Sequence, residues 1–234
     1  MPSNLTVSPL TPEEAHLYVS VRHETFRPTI NKILYSREPS QATLDGVTQG
    51  ICTDIAKGTA LYMKVTDDET GEMIAGSKWG FVPPNLVCED GQGVGEGGNE
   101  IFKRRERTWE EVEAGLTIPT PYDESNVGVW NKLFTLLNSN KREIMQTRPY
   151  LILETLVTHP SHHRRGAGGM LVQWGCDQAD TNDLEAYLEA SPMGAPLYER
   201  FGFQRVKDIQ LDLREFGGEV FTFIIMVRPT RAVL

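Results

Sequence analysis

Residues 150–174 read YLILETLVTHPSHHRRGAGGMLVQW. The opening nine residues, Tyr150 to Thr158, are almost continuously apolar and rich in β-formers, as a central strand covered on both faces requires. From Ala167 onward the apolar residues Ala167, Met170, Leu171 and Trp174 recur at helical spacing. Between strand and helix stands a turn, His162-His163-Arg164-Arg165-Gly166-Ala167-Gly168-Gly169. A helix N-terminus carries unpaired backbone N–H groups and a partial positive charge, so this turn can hold a phosphate or pyrophosphate, the alternative being a basic helix entrance with a glycine turn. Gly166 and Gly168 let a ligand approach the backbone, and two arginines add charge and bidentate donors.

Downstream, residues 184–190 read as a strand, 195–200 as a short helix, and 203–211 with 219–227 as a closing antiparallel pair. Upstream, residues 60–65 and 73–81 flank the polar turn Asp67-Asp68-Glu69-Thr70-Gly71, a hairpin. Thr11-Pro12-Glu13-Glu14 is a helix start, and the apolar positions after it predict two short helices broken near Pro28. Residues 83–99 read as a loop rich in glycine and acid, a mobile or lid-like segment. Trp130 to Met145 then predicts an amphipathic helix.

The 234 residues fit one generous domain, 1–234, with a loop and helix insertion at about 83–149. A hydrophobic content of 39% against 24% charged residues excludes global disorder. The longest strongly apolar run, residues 223–227, is far below the roughly 20 residues of a membrane span. Neither a membrane partner nor a secretory signal is expected. The net charge of −9 opposes attraction to phosphate backbones, so no nucleic-acid partner is expected and cationic partners are favoured. Cys52, Cys88 and Cys176 are odd in number and widely spaced, which suits reduced thiols and a cytoplasmic location.

About 25 residues after the glycine turn comes Leu188-Glu189-Ala190-Ser191-Pro192-Met193-Gly194-Ala195-Pro196-Leu197-Tyr198-Glu199-Arg200-Phe201-Gly202-Phe203. With the turn, this resembles the GNAT superfamily of acetyl-CoA-dependent N-acetyltransferases, most of all small-molecule acetyltransferases of fungi. In that family a Gln/Arg-x-x-Gly-x-Gly/Ala loop grips the CoA pyrophosphate, and a later helix ends in Tyr-x-x-x-Gly-Phe. The resemblance implies an α/β (α+β) fold: a mixed, mostly antiparallel central sheet flanked by helices, with strands splayed at the acetyl-CoA site. His163 stands where Gln or Arg is usual, and Ser191 where many members carry Asn.

The resemblance implies transfer of the acetyl group of acetyl-CoA to a primary amine by direct attack in a ternary complex. An alkylamine of pKa near 10.4 is less than about 0.1% neutral at pH 7, so a base or water relay must remove its proton. By the two-residue period, residues 152, 154, 156 and 158 share one strand face, on which Glu154 is the ionisable group. The resemblance turns that face to the acetyl group and makes Glu154 the general base, directly or through water; a structural carboxylate is the alternative. Main-chain N–H groups around Leu156, Val157 and Thr158 are expected to polarise the thioester carbonyl. Tyr198 matches the family's acid, the alternative being a core tyrosine. The expected cofactor contacts are therefore Leu156, Val157, Thr158, His163, Arg164, Arg165, Gly166, Ala167, Gly168, Gly169 and Ser191.

His159, His162 and His163 lack an acidic or Cys partner in metal-ligand spacing, so no metal is expected. Residues 93–98 fit G-x-G-x-x-G but follow no strand and sit among acids, which rejects a dinucleotide site. Phe26, Tyr35, Trp79 and Phe81 are candidates to line the amine site. A small-molecule amine is the expected acceptor; a protein lysine or N-terminus, or a catalytically silent acyl-CoA-binding module, are the alternatives. The sequence leaves the oligomeric state open.

Overall fold

Strand β4, Tyr150–Thr158, lies at the centre of a seven-stranded sheet in the computed structural model, which describes residues 4–83 and 105–231. The other strands are β1 Leu5–Pro9, β2 Leu61–Asp67, β3 Met73–Val82, β5 Glu185–Ala190, β6 Gln204–Asp212 and β7 Val220–Arg228. Their order is β1-β2-β3-β4-β5-β7-β6. Every neighbouring pair is antiparallel except β4 with β5, which is parallel. This is the mixed, mostly antiparallel sheet expected from the sequence. The rejected glycine motif at 93–98, with most of the expected loop 83–99, lies outside the described residues.

Seven helices join these strands among the described residues: α1 Ala15–Phe26, α2 Ile30–Leu34, α3 Gln41–Lys57, α4 Trp109–Gly115, α5 Val127–Met145, α6 Ala167–Thr181 and α7 Ala195–Glu199. On one face of the sheet, α6 buries Val172 and Cys176 against Trp79, Leu151, Leu153 and Leu188, and Leu171 against Met63, Val65 and Ile74. A Cβ at Gly175 would lie 2.1 Å from the Trp79 ring, so only glycine lets the helix come this close. Trp79 is fully buried there and belongs to the core, not to an amine site. On the other face, α1 and α3 pack around Tyr18, Tyr62 and Val157, while α5 packs against Ile152, Tyr187 and Ile225.

Three elements have no counterpart in the sequence reading, β1, α3 and α4. The α3 segment contains Gly46, Gly50, Thr43, Thr48 and Thr53, all poor helix formers, and its apolar positions are mostly only half-buried. Its helicity comes from context: Ser40 Oγ accepts the Thr43 N–H at 3.3 Å, Gly58 closes the end at φ 63°, and Ile51 packs against α1.

Candidate active site

Two irregularities in β4 create the site. The first is a β-bulge against β3: Lys78 pairs with Thr155 and Trp79 with Leu153, which leaves Glu154 as the extra residue. The second is a splay. Pairing between β4 and β5 runs from Tyr150↔Glu185 to Leu153↔Leu188 and stops, although β4 continues to Thr158 and β5 to Ala190. Beyond Leu153, alternate residues of β4 present main-chain N–H and C=O groups to the open gap.

The bulge overturns the expectation that Glu154 shares a face with Leu156 and Thr158. An extra residue shifts the two-residue alternation by one. Leu156 packs with Ala167 and Leu171 on the α6 side, and Thr158 Oγ1 lies 3.6 Å from where a Gly168 Cβ would stand. Val157 instead joins Tyr18 on the α1 side. Glu154 is on that same side as Ile152, since a Cβ at Gly80 would meet both, at 3.4 Å for Ile152 and 3.5 Å for Glu154. The carboxylate and the glycine turn thus lie on opposite faces of the sheet, joined through the splay.

On the α6 face, Gly166 caps α6 in the left-handed region at φ 93°, and the first helical main-chain bond runs from Met170 N–H to Gly166 C=O. The N–H groups of Ala167, Gly168 and Gly169 therefore have no helical acceptor and form the anion-binding end. Arg164 is exposed, with its backbone also left-handed at φ 65°. The other expected side chains are engaged within the protein. His163 Nε2 lies 3.0 Å from the Thr158 carbonyl and, facing an acceptor, carries the proton. Arg165 Nη1 donates to Asp67 Oδ2 at 2.6 Å. Ser191 Oγ accepts the Gly194 N–H at 3.1 Å, which orders the entrance to α7. Across the splay, α7 places Leu197 against the α6 turn and Tyr198 edge-on to Phe203. Burial pushes the Tyr198 phenol up to about 12, so it holds its proton at neutral pH.

The opposite face is charged. Lys78 Nζ lies 2.9 Å from Glu154 Oε2 and 3.5 Å from Asp54 Oδ2 on α3, above the ring of Tyr62. Tyr62 in turn donates to Asp54 at 3.1 Å. Burial works against the Lys78 charge, but the Glu154 and Asp54 carboxylates outweigh it and raise the ammonium above its ordinary value. Glu189 on β5 mirrors Glu154: each is the residue directly after the last β4–β5 pair. Its Oε1 is buried without a hydrogen-bond partner among the described residues, and Lys141 Nζ is 4.0 Å away. Burial raises the Glu189 carboxyl above the usual range, with Lys141 opposing and Glu154 adding to the rise.

Lys78, Asp54, Tyr62 and Glu189 have no role in the sequence reading. Lys78 is the lone ion-forming residue of the apolar β3, which was the available signal for it, whereas β5 carries two, Glu185 and Glu189, and nothing singled out Glu189. Asp54 carried none, because the helix that holds it was not legible. Among the described residues, no three His, Cys, Asp or Glu side chains converge as metal ligands, and no helix is long and apolar enough to cross a membrane.

Residues 134–205 match the family model of the acetyltransferase (GNAT) domain, a stretch that contains the bulged strand, the glycine turn and Tyr198. A Corynebacterium glutamicum structure described as histone acetyltransferase HPA2 and related acetyltransferase is similar with 19% identity and a TM-score of 0.58, 97% of each chain being covered. The polyamine N-acetyltransferase of Drosophila melanogaster, described as forming N-acetylagmatine, is similar with 14% identity and a TM-score of 0.60, over 95% of this chain and 98% of that one. The acetyltransferase yncA of Salmonella typhimurium, solved with its cofactor acetyl-CoA, is similar with 9% identity and a TM-score of 0.54, over 97% and 94%. At these identities the three structures share the fold.

Proposed function

We propose that the protein transfers the acetyl group of acetyl-CoA to the primary amine of a small, cationic acceptor within a ternary complex. The observation that carries this reading is the β4–β5 splay, with main-chain donors and an α6 N-terminus on one face and Glu154 at its vertex on the other. In the reading, the pyrophosphate sits on the N–H groups of residues 167–169 and the thioester lies in the gap along Leu156, Val157 and Thr158. Free N–H groups of that open edge receive the carbonyl oxygen as it gains charge. The acceptor enters from the charged face, where its ammonium meets Glu154 and Glu189.

The ammonium gives its proton to Glu154, directly or through water, and the neutral nitrogen attacks the carbonyl carbon. The C–N bond forms, the C–S bond breaks, sulfur leaves with the electron pair, and the attacking nitrogen gives up its second proton to solvent. A thiol titrates near 8.5, so a phenol held at about 12 does not hand its proton fully to the thiolate. Tyr198 instead donates a hydrogen bond to sulfur as charge develops, and solvent completes the protonation. A small acceptor is supported by the fold's occurrence in an enzyme that acts on polyamines and agmatine.

The test is thiol release from acetyl-CoA with a panel of agmatine, spermidine, tyramine, an aryl amine and lysine-containing peptides, with products identified by mass. Turnover of the small amines is expected. Acetylation of peptide lysines alone would overturn the choice of acceptor, and CoA binding without any transfer would overturn the reaction.

A further inference from the structure

The turn before α6 holds two arginines, and on charge alone both belong to a phosphate. The structure separates them. Arg165 points away from the N–H groups of residues 167–169 to the end of β2, 98 residues earlier in sequence, where its Nη1 meets Asp67 Oδ2 at 2.6 Å. Asp67 is not a surface acid: its side chain is 6% exposed, and its second oxygen accepts the Glu69 N–H at 3.1 Å. The same Arg165 nitrogen lies 3.1 Å from His162 Nδ1, and His162 Nε2 is 3.5 Å from Glu72 Oε2. The β2–β3 hairpin turn therefore touches the glycine turn at two points, Asp67 with Arg165 and Glu72 with His162.

We infer that Asp67 and Arg165 form a clamp that positions the pyrophosphate-binding turn, with Arg165 acting on the ligand through the backbone it holds and not by direct contact. The residues on either side of Arg165, Arg164 and Gly166, are both left-handed, at φ 65° and 93°. A non-glycine residue keeps that conformation only where its surroundings fix it. The clamp is the side-chain contact that reaches the turn at the residue between them. Its consequence is that the carboxylate offsets the Arg165 charge, so ligand attraction rests on the main-chain donors and Arg164. The Arg165 guanidinium, with the Glu69 N–H, also holds the Asp67 carboxyl below the usual carboxylate range, which keeps the clamp ionised at neutral pH.

This inference rests on the reading of the turn as a CoA site, and the experiment separates the two. CoA binding is measured by calorimetry for the full chain and for Asp67→Asn, Arg165→Gln, the double variant and Arg165→Lys. Residues acting through one contact give non-additive losses. Each single variant is expected to weaken CoA about tenfold, the double no further, and Arg165→Lys, which retains an ion pair, to stay within about threefold of wild type. Weaker binding in Arg165→Gln with unchanged or tighter binding in Asp67→Asn would overturn the clamp, because it would mean that the freed Arg165 contacts phosphate directly. Unchanged affinity in every variant would overturn it as well. If Asp67→Asn does not fold, the lysine and glutamine variants of Arg165 decide: equal losses in both would sink the proposal. A wild-type chain that binds no CoA would overturn the site reading itself, and the clamp with it.

Discussion

The two faces of the splay are built from different materials. On the α6 face the binding groups are main-chain N–H donors from one short stretch, residues 166–169, set by a helix start and two left-handed residues. On the opposite face they are side chains, Asp54, Lys78, Glu154 and Glu189, drawn from α3, β3, β4 and β5. A main-chain site tolerates changes in side chains as long as the turn keeps its shape, whereas a charged side-chain site changes with each substitution. In the proposed reading, the first face suits a ligand portion that does not vary, and the second decides which acceptor is taken.

The largest test of this division is Glu154→Gln. If the charged face removes the proton, the variant loses about a hundredfold to ten-thousandfold in kcat/KM for an alkylamine at pH 7. The task to be shared is about 3.4 units for an amine of pKa 10.4, roughly 4.6 kcal/mol at 1.36 kcal/mol per unit. The loss shrinks as pH rises and is smaller for a weakly basic aryl amine, while CoA affinity is unchanged. A pH–rate comparison on both amine types checks it; an equal loss at every pH and for both amines would make Glu154 a binding or structural residue.

Tyr198→Phe is expected to cost less, about tenfold to a hundredfold in kcat, because a hydrogen bond to a charged group is worth about 1.5–3 kcal/mol. CoA affinity and thermal stability should stay near wild type, since the ring and its contact with Phe203 are kept. Single-turnover rates, in which chemistry is observed, are the measurement. An unaltered rate would leave Tyr198 as a core residue.

The same division explains what the sequence made legible. Residues 150–174 carry strand, turn and helix start in consecutive order, so the main-chain face follows from local pattern, while the sheet class came with the family resemblance. The bulge does not: nothing in Leu153-Glu154-Thr155-Leu156 marks which residue is extra, and a strict two-residue period placed Glu154 on the wrong face. The register with Lys78 and Trp79, which lie more than 70 residues away, decides it. Asp54 was hidden for another reason, since α3 is made helical by packing and capping against its own propensity. The Asp67 partner of Arg165 was hidden as well, because the two are remote in sequence.

Gly168→Val sharpens the comparison on the α6 face. A Cβ there would meet Leu197 and Thr158 at 3.6 Å and Leu156 at 3.9 Å, ordinary van der Waals distances, and the backbone is not left-handed. The protein alone therefore has little need of this glycine, and a ligand resting on the turn does. The variant should weaken CoA about tenfold and lower the melting temperature only slightly. Unchanged affinity, measured by calorimetry, would remove Gly168 from the site.

The smallest effect concerns how the charged face is held in place. Glu124, 3% exposed, accepts from Ser40 N–H at 3.1 Å and Thr43 Oγ1 at 2.6 Å at the start of α3, and its carbonyl accepts from Ser36. It thereby ties the segment before α5 to the helix that carries Asp54, and Asp54 reaches Lys78. The Thr43 and Ser40 donors lower the Glu124 carboxyl to about 2. A carboxyl depressed in the folded state stabilises above its ordinary value, near 4.3, and loses that contribution as pH falls towards 2. Glu124→Gln, which resembles the protonated group, should therefore melt a few degrees below wild type at pH 7. The gap should narrow between about pH 5 and pH 2. If α3 positions the acceptor face, KM for the amine also rises modestly while CoA affinity does not move. Melting curves across that pH range, with CoA calorimetry on the same variant, check both halves. A gap that stays constant down to pH 3 would show that the charge of Glu124 is not what holds α3.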